Sequence, residues 1–432
     1  MRSTERQYDN TPLRDTTDHA YSRVLDELGE RWLAWAPALG KTLQSSVDPS
    51  KHEAELLFAG LKLAVYSAAF QTLPTKRKKD RVSKAGVMAT VFASGLSRRE
   101  MWTVVSKRIK TRARGGEAAP PLHEMELKLR EQGAKTPAST CQETKKWVRK
   151  VGAKLDGDGT PPETVDSPAF ARKVEIYYQV IVTAVKDLRW KTAGGLDNIS
   201  AALIKRAPHS FLRALALFAA RCANLRQFPR WFRLARAKFI PKPEAGKFRG
   251  LRLESLLTKL VEKCIMHPFF PAFGPDSDAI APEHFADRKG VSAEMTAGIL
   301  SIIIDAHRGV PLFILIADAK EAYDNVWRDA LWAKLSVIHK CTDDIKSARA
   351  LYEHMDAQIV EDGFKSDTIE LRQGFPQGGP RSGKLFAVFN SDVPSMLRNV
   401  GAGTAIGEVD ITCAIFMDDS MIPAHSKPRG KS

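Results

Sequence analysis

The sequence predicts an α+β fold in which two buried strands end in carboxylates. The apolar runs 311–317 and 412–417 are followed by acid, Asp318 after the first and Asp418-Asp419 after the second. Each run has the length and composition of a buried strand. Apolar residues at three- and four-residue steps recur through much of the remaining chain, and this spacing is typical of amphipathic helices.

The predicted elements follow one another in a simple order. Helices are expected near 24–35, 54–70, 170–188, 200–205, 211–225, 256–266, 321–337 and from 385 onward, with a short strand at 237–240. A hairpin of strands at 409–416 and 421–424 is expected to carry Asp418 and Asp419 at its turn. The Gly/Pro-rich stretches 115–121 and 152–162 indicate linkers, and 76–114 is a basic stretch. Because residues on both sides of the 312–318 run are apolar, a central strand with two buried faces is expected there.

Composition favours a partner rich in negative charge. The chain has 432 residues, enough for two or three domains, and 44% of them are hydrophobic, as in a soluble globular protein. Its net charge is +16 and its pI is near 9.6. Nucleic acid is the first candidate partner, and a merely solvated basic surface is the alternative.

The five cysteines, an odd number, contain no C-x-x-C pair, and the histidines show no familiar ligand spacing. This argues against a disulfide framework and against a zinc finger or knuckle, and it implies a reducing compartment. The N-terminus has no apolar segment of the kind found in secretory signals, and no apolar run approaches a bilayer span.

The three carboxylates are the principal candidates for chemistry. If the two acid-ended strands lie side by side, Asp318, Asp418 and Asp419 meet at one edge of a sheet and repel one another unless divalent cations are bound. Such hard oxygen ligands suit Mg²⁺ or Mn²⁺, and a pair of these ions supports in-line phosphoryl transfer. Taken singly, Asp318 could be a helix N-cap, and the Asp-Asp pair a solvated turn.

Two further features lie between the acidic segments. Tyr323 follows Asp318 by five residues, where its ring could lie beneath an incoming sugar and clash with a 2′-hydroxyl; the alternative is packing with Trp327 and Leu331. The loop 372–382 contains glycines that allow close approach of the backbone to a ligand, although an ordinary turn is also possible.

These features belong to an ordered series of short motifs. Because of that series, the chain resembles the reverse transcriptases of non-LTR retrotransposons and group II introns over about 168–432. The matching segments are Thr192-Ala-Gly-Gly-Leu-Asp197-Asn-Ile, Ala237-Lys-Phe-Ile-Pro-Lys242-Pro, Phe248-Arg249-Gly-Leu-Arg-Leu, Phe285 to Ser292, Asp318 to Asp324, Gln373 to Ser382 and Phe416-Met-Asp-Asp419.

The resemblance implies a set of roles. Asp318, Asp418 and Asp419 would bind two Mg²⁺ ions (Mn²⁺ could replace them), with Asp419 the less direct ligand. Lys242 and Arg249 would hold the triphosphate of the incoming dNTP, and Tyr323 would be the sugar gate. Gln373 and Gly374 would touch the nascent pair and the RNA template. A DNA or RNA primer would supply the attacking 3′-hydroxyl.

The resemblance also implies an architecture: fingers at 166–300 and a truncated palm at 301–432 of a right-hand polymerase. Periodicity and charge predict a helical basic region before them, at 1–165. The chain ends soon after Asp419, so we expect a fragment without a thumb. An RNA-binding, maturase-like remnant without activity is therefore an alternative to an active enzyme. An RNA-dependent RNA polymerase is a third possibility, disfavoured by Tyr323. An intracellular, nuclear location is expected.

Overall fold

A computed structural model describes most of the chain. The described residues are 15–42, 49–72, 122–135, 141–157, 161, 163–241, 248–269, 280–286, 291–319, 321–361, 364–376, 379 and 381–425. The basic stretch 76–114, the linker 115–121 and Lys242 lie outside them. Over the part of the chain that is described, no helix combines the length and apolarity needed to cross a bilayer.

Helices make up most of the described first half of the chain and recur in the second half. In chain order the α-helices are α1 (Asp15–Thr42), α2 (Pro49–Thr72), α3 (Leu122–Ala134), α4 (Gln142–Gly157), α5 (Pro168–Asp187), α6 (Ala201–Lys205), α7 (His209–Leu225), α8 (Leu256–Ile265), α9 (Ala293–Ala306), α10 (Arg328–Ile338), α11 (Thr342–Tyr352), α12 (Ser382–Phe389) and α13 (Val393–Asn399). Most predicted helices are confirmed, with ends shifted by a few residues. The prediction of a linker at 152–162 is wrong at its start, because Gly152 continues α4.

Two sheets carry the mixed architecture. The strands are β1 (Leu234–Pro241), β2 (Phe248–Leu253), β3 (Leu312–Asp318), β4 (Met355–Glu361), β5 (Phe364–Lys365), β6 (Ile369–Leu371), β7 (Thr404–Ile406), β8 (Val409–Ile411), β9 (Ala414–Phe416) and β10 (Asp419–His425). The larger sheet has the order β2-β1-β4-β5 with β6 also on β4, and the second has the order β3-β10-β9. This arrangement is consistent with the α+β prediction. Among the described strand pairs, β1 with β4 is parallel and the others are antiparallel.

Strand β3 departs from its prediction. It lies at the edge of its sheet rather than at the centre, and Phe313, Leu315 and Ile316 are 64%, 60% and 70% exposed. Only one side packs: Leu312 and Ile314 lie against the small cluster of Ile303, Ala414 and Met421. Apolar composition predicted burial on both faces, but among the described residues the sheet offers a packing partner for one.

Two other predicted elements are divided. The strand expected at 409–416 is two strands, β8 paired with β7 and β9 paired with β10. The helix expected at 321–337 begins as a 3₁₀ turn, Ala322–Asn325, and α10 starts only at Arg328. Glu321, with φ of 51°, and Val326, with extended backbone, interrupt it on either side of the turn.

A continuous hydrophobic core links the N-terminal helices to the larger sheet. It extends from Tyr21 on α1 to Val388 on α12. Aromatic rings join its parts: Phe58 of α2 lies 5.6 Å from Phe218 of α7 and 5.3 Å from Phe232. The helices before residue 158 therefore pack as part of the same body as the sheets.

Two buried carboxyl groups, those of Glu254 and Glu262, lie within this core and belong to no ion pair in the described part of the chain. Glu254 and Glu262 are 4% and 2% exposed, and one oxygen of each has no hydrogen-bond partner. The Tyr352 hydroxyl donates to the other oxygen of Glu262, at 2.5 Å. Burial raises the pKa of Glu254 to about 7 and that of Glu262 to about 8, and Glu254 further raises the latter.

We expect the stability of the protein to fall as pH rises through about 8, because folding must then bury a charge on Glu262. Since the folded pKa exceeds the unfolded value of 4.5, the stabilisation is complete below pH 4.5 and is lost as the pH rises from there through about 8. Glu262→Gln keeps an acceptor for Tyr352 and should flatten this dependence. Thermal unfolding from mildly acidic to mildly alkaline pH measures it, with Glu294→Gln on the exposed start of α9 as control. Equal pH slopes in parent and E262Q would contradict the assignment.

Candidate functional site

The acidic hairpin is formed by β9, a two-residue turn and β10. Phe416 pairs with Asp419, so Met417 and Asp418 form the turn. Two-residue hairpin turns require positive φ, and Met417 adopts φ of 58°, which is uncommon outside glycine. The sequence-based prediction of acids at a hairpin turn is confirmed for Asp418, and Asp419 is the first residue of the returning strand.

The two acid-ended segments meet at one end of the sheet. β10 pairs antiparallel with β3 over seven residue pairs, and the pair at the end of this ladder is Asp419 with Asp318. Directly opposed residues of an antiparallel pair place their side chains on the same face, with Cβ atoms about 4.5–5.5 Å apart. The Ala319 N–H donates to the Asp418 carbonyl at 3.0 Å and extends the contact beyond the ladder.

The three carboxylates form an accessible anionic cluster. Asp318 and Asp419 are exposed and Asp418 is partly buried. Partial burial and the charges of Asp418 and Asp318 raise the pKa of Asp419. The ligand oxygens of the three acids do not all lie within 4.8 Å of one another. A cluster of this kind offers hard ligands for more than one cation.

Tyr323 lies directly beside the hairpin. It occupies the 3₁₀ turn after β3, and its ring lies 5.1 Å from that of Phe386 on α12. Its hydroxyl donates to the sulfur of Met417 at 3.1 Å, a weak hydrogen bond. Tyr323 therefore lies beside Met417, the residue that precedes Asp418, and it also packs against the main hydrophobic core, which includes Leu331.

Gly374 is packed against the backbone of this turn. Its φ is 75°, and a Cβ atom there would lie 2.6 Å from the Asp324 Cα and the Tyr323 carbonyl oxygen. Its N–H donates to the Val326 carbonyl at 2.9 Å, and the Phe375 N–H donates to the Tyr323 carbonyl at 2.8 Å. The loop after β6 therefore holds the Tyr323 turn through backbone contacts that only glycine permits.

A buried ion pair connects the turn to the larger sheet. Arg252 of β2 and Asp324 are 5% and 8% exposed at their side chains and are in direct contact. Arg252 also donates to the Phe375 carbonyl at 2.7 Å, and Gln132 of α3 donates to Asp324 at 3.0 Å. Asp324 belongs to the motif segment Asp318 to Asp324, but its side chain contacts Arg252 and Gln132 of the protein itself, so its role is structural.

Arg328 was missed by sequence reasoning. Its buried guanidinium donates to five backbone carbonyls: those of Gly374 at 2.9 Å, Tyr352 at 2.6 Å, Glu353 at 3.2 Å, Gln373 at 3.0 Å and Leu371. These acceptors come from the end of α11 and from the 371–374 loop. No local pattern around Arg328 announces them, because the acceptors are distant in sequence.

The remaining predicted residues have different positions. Arg249 is an exposed residue of β2, paired with Ile240 in the larger sheet. Gln373 is buried at 8% exposure, and its carbonyl is bound by Arg328. Lys242 lies outside the described residues. The structure therefore brings together Asp318, Asp418, Asp419, Tyr323 and Gly374.

Asp197, the acid of the loop 192–199, is partly buried and makes structural hydrogen bonds. Asp197 accepts a hydrogen bond from the Ser255 hydroxyl and one from the Ile199 N–H, at 3.3 Å. Burial raises the pKa of Asp197. A Cβ on Gly195 would lie 2.5 Å from the Ser255 nitrogen, so glycine is required where this loop crosses the start of α8.

Comparison with known proteins identifies the segment that carries the site. Residues 240–431 match the family model "Reverse transcriptase (RNA-dependent DNA polymerase)". The chain is 27% identical over 230 residues to "Probable RNA-directed DNA polymerase from transposon BS" of Drosophila melanogaster, an alignment that covers 51% of this chain and 25% of the relative. It is 23% identical over 250 residues to "RNA-directed DNA polymerase from mobile element jockey" of the same organism, covering 56% and 27%. The chain spans about a quarter of the length of these relatives.

Replacing Gly374 with alanine should destabilise the protein by more than about 1 kcal/mol, because both the positive φ and the 2.6 Å approach oppose a Cβ. Chemical denaturation measures the loss. Gly401→Ala is a matched control, since Gly401 has a φ of 74° and nothing within 4 Å of its Cβ position. If the two variants lose equal stability, the close contact with the Tyr323 turn contributes nothing.

Proposed function

We propose that the reverse transcriptase domain carried by this chain at residues 240–431 acts as the RNA-directed DNA polymerase of a non-LTR retroelement. It would join dNTPs to a primer 3′-hydroxyl on an RNA template. The observation that carries the proposal is the register of β10 with β3, which opposes Asp419 to Asp318 and places Asp418 in the adjoining turn. The two relatives from Drosophila melanogaster, both described as RNA-directed DNA polymerases, support it.

Asp318, Asp418 and Asp419 are the residues that would hold two Mg²⁺ ions, or Mn²⁺ in their place. The donor set fits, since all three are carboxylates. Partial burial and the charges of Asp418 and Asp318 raise the pKa of Asp419, and bound cations would favour its ionised form. When bound, two such ions stabilise negative charge on a transferring phosphoryl group and its leaving group. The chain itself contributes a rigid backbone platform that presents the carboxylates at one end of the ladder.

The neighbouring residues would orient the substrate. Tyr323, held between Phe386 and Met417, would lie beneath the sugar of the nucleotide and exclude a 2′-hydroxyl. Gly374 would leave room for the nascent pair, with Gln373 alongside it. Arg249, exposed on β2, would reach the triphosphate together with Lys242. In this proposal residues 166–300 correspond to polymerase fingers and 301–432 to a palm.

Positive charge supports the choice of polyanionic partners. The net charge of +16 favours binding of a template and primer through phosphate contacts, which are sensitive to salt. The same charge would serve a protein that only binds RNA. The intact carboxylate cluster favours an enzyme, because three acids with no cation to bind would be costly to hold together in an RNA-binding surface.

Replacing Asp418 with asparagine should lower primer extension at least about a hundredfold, since a metal ligand is lost while the turn keeps its size. Extension of a primer on an RNA template with Mg²⁺ and dNTPs measures this. Asp410→Asn is the matched control, because Asp410 is an exposed acid on the nearby strand β8, outside the cluster.

Two outcomes would contradict the proposal. If the D418N variant extends primers at the parent rate, the acidic cluster is not the active centre. If the parent binds RNA in a salt-sensitive way and incorporates no nucleotide with either Mg²⁺ or Mn²⁺, the RNA-binding alternative is correct.

Removing the ring of Tyr323 should relax sugar selection. The Tyr323→Ala variant is expected to raise the use of rNTPs relative to dNTPs by about tenfold or more, because the steric exclusion of the 2′-hydroxyl is lost. Tyr323→Phe retains the ring and loses only the hydrogen bond to Met417, so it should keep the parent's preference. Single-nucleotide incorporation with matched dNTP and rNTP pairs gives the ratio. A parent that prefers rNTPs would instead indicate an RNA polymerase.

A further inference from the structure

A second group of potential metal ligands lies in the loop between α10 and α11. His339, Cys341 and Asp344 each offer one ligand atom, and these three atoms all lie within 4.8 Å of one another. Within the described residues this is the one set of three or more His, Cys, Asp or Glu side chains that meets that distance. It is separate from the acidic hairpin, and it mixes nitrogen, sulfur and oxygen donors.

The fold fixes the positions of the three residues. His339 directly follows α10, and its N–H donates to the Leu335 carbonyl at 2.7 Å. Its ring lies 4.6 Å from that of Phe269, which restricts its rotation. Cys341 directly precedes α11, and Asp344 is in the first turn of that helix. Two helix ends therefore determine the H-x-C-x-x-D spacing in space.

The polar contacts concentrate ligands at one point. The Nε2 atom of His339 lies 2.8 Å from an oxygen of Asp344. The adjacent acid, Asp343, is bound instead by Arg226 at 2.6 Å, so the two acids have different partners. Cys341 is exposed, and its thiol can be reached from solvent and can adjust its rotamer. The Cys341 thiol also contacts Asp344, through both its side chain and its backbone N–H.

We propose that His339, Cys341 and Asp344 form a binding site for one Zn²⁺ ion. Imidazole nitrogen, thiolate sulfur and carboxylate oxygen are the ligands of zinc, whereas Mg²⁺ and Ca²⁺ select oxygen. In tetrahedral coordination neighbouring ligand atoms are roughly 3.3–3.6 Å apart. The His339 and Asp344 ligand atoms, now 2.8 Å apart, would therefore separate slightly while the thiol closes on the ion. Binding replaces the S–H bond with a Zn–S bond and releases the proton to solvent.

Three protein ligands leave a fourth coordination position. Asp344 also lines a cavity of about 590 Å³ whose wall includes Arg172, Lys173 and His267. The fourth position would be taken by water from this side. The ion would tie the end of α10 to the start of α11, so its first effect is on the stability of this corner and not on nucleotide chemistry.

Co²⁺ is a suitable probe because it substitutes for zinc and is coloured. Titration of the full, chelator-treated protein with Co²⁺ should give the visible bands of tetrahedral coordination and a thiolate-to-cobalt charge-transfer band. Both should saturate at one ion per chain and disappear when Zn²⁺ is added. Cys341→Ser should remove the charge-transfer band and weaken binding at least tenfold. Zn²⁺ should raise the melting temperature of the parent more than that of C341S.

Cys141→Ser is the matched control. Cys141 is also exposed and also directly precedes a helix, α4, but it belongs to no such ligand group. Its loss should leave the cobalt spectrum unchanged. His339→Gln provides a second test, with the visible bands expected to weaken while the charge-transfer band persists at higher Co²⁺ concentration.

The proposal is overturned if the parent gives no charge-transfer band, or if that band survives in C341S. It is also overturned if the band is lost in C141S but kept in C341S. Binding that disappears in D418N and persists in C341S would assign the ion to the acidic hairpin. X-ray absorption of the zinc-loaded parent checks the ligands directly, and one sulfur at about 2.3 Å is expected.

Discussion

The register between β3 and β10 is the constraint on which the candidate active centre depends. Side chains alternate along a strand, so a slip of one residue would turn Asp419 away from the face that Asp318 occupies. Packing beneath the sheet opposes such a slip. Leu312, Ile314 and Met421 lie together against Ile303, and a one-residue slip would separate Met421 from the face that carries Leu312 and Ile314.

Two buried arginines hold the surroundings of this ladder. Arg328 binds carbonyls of the 371–374 loop and of the end of α11, and Arg252 binds both Asp324 and the Phe375 carbonyl. Burying a cation is costly unless it is paired and hydrogen-bonded, so these contacts favour one relative position of the segments that supply them. Gly374 completes the arrangement by letting the loop backbone touch the Tyr323 turn. The sugar-facing side of the proposed site is therefore positioned from the protein interior.

Sequence reasoning succeeded where the information is local or belongs to a motif. The acid-ended strands, Tyr323 and the glycine loop could be predicted because spacing along the chain determines them. Arg328 could not, since its five acceptors converge only after folding. The 3₁₀ turn at Ala322–Asn325 was also missed, because its helical spacing continues into α10 and only the backbone at Glu321 and Val326 breaks it. The H-x-C-x-x-D segment contains a single cysteine and a single histidine, so the C-x-x-C and histidine spacings of familiar zinc sites do not predict it.

The exposure of β3 shows what apolar composition can and cannot specify. A run of apolar residues predicts that both faces of the strand are buried, but it does not show which part of the protein or of a partner packs on each face. Here Phe313, Leu315 and Ile316 remain exposed on an edge strand, the kind of surface that proteins usually cover. Because the residues nearest Asp318 are exposed, that acid is held by its backbone pairing with β10 and by the Ala319–Asp418 hydrogen bond. The position of Asp318 therefore depends on the hairpin that carries Asp418 and Asp419, so a displacement of the hairpin would move all three acids together.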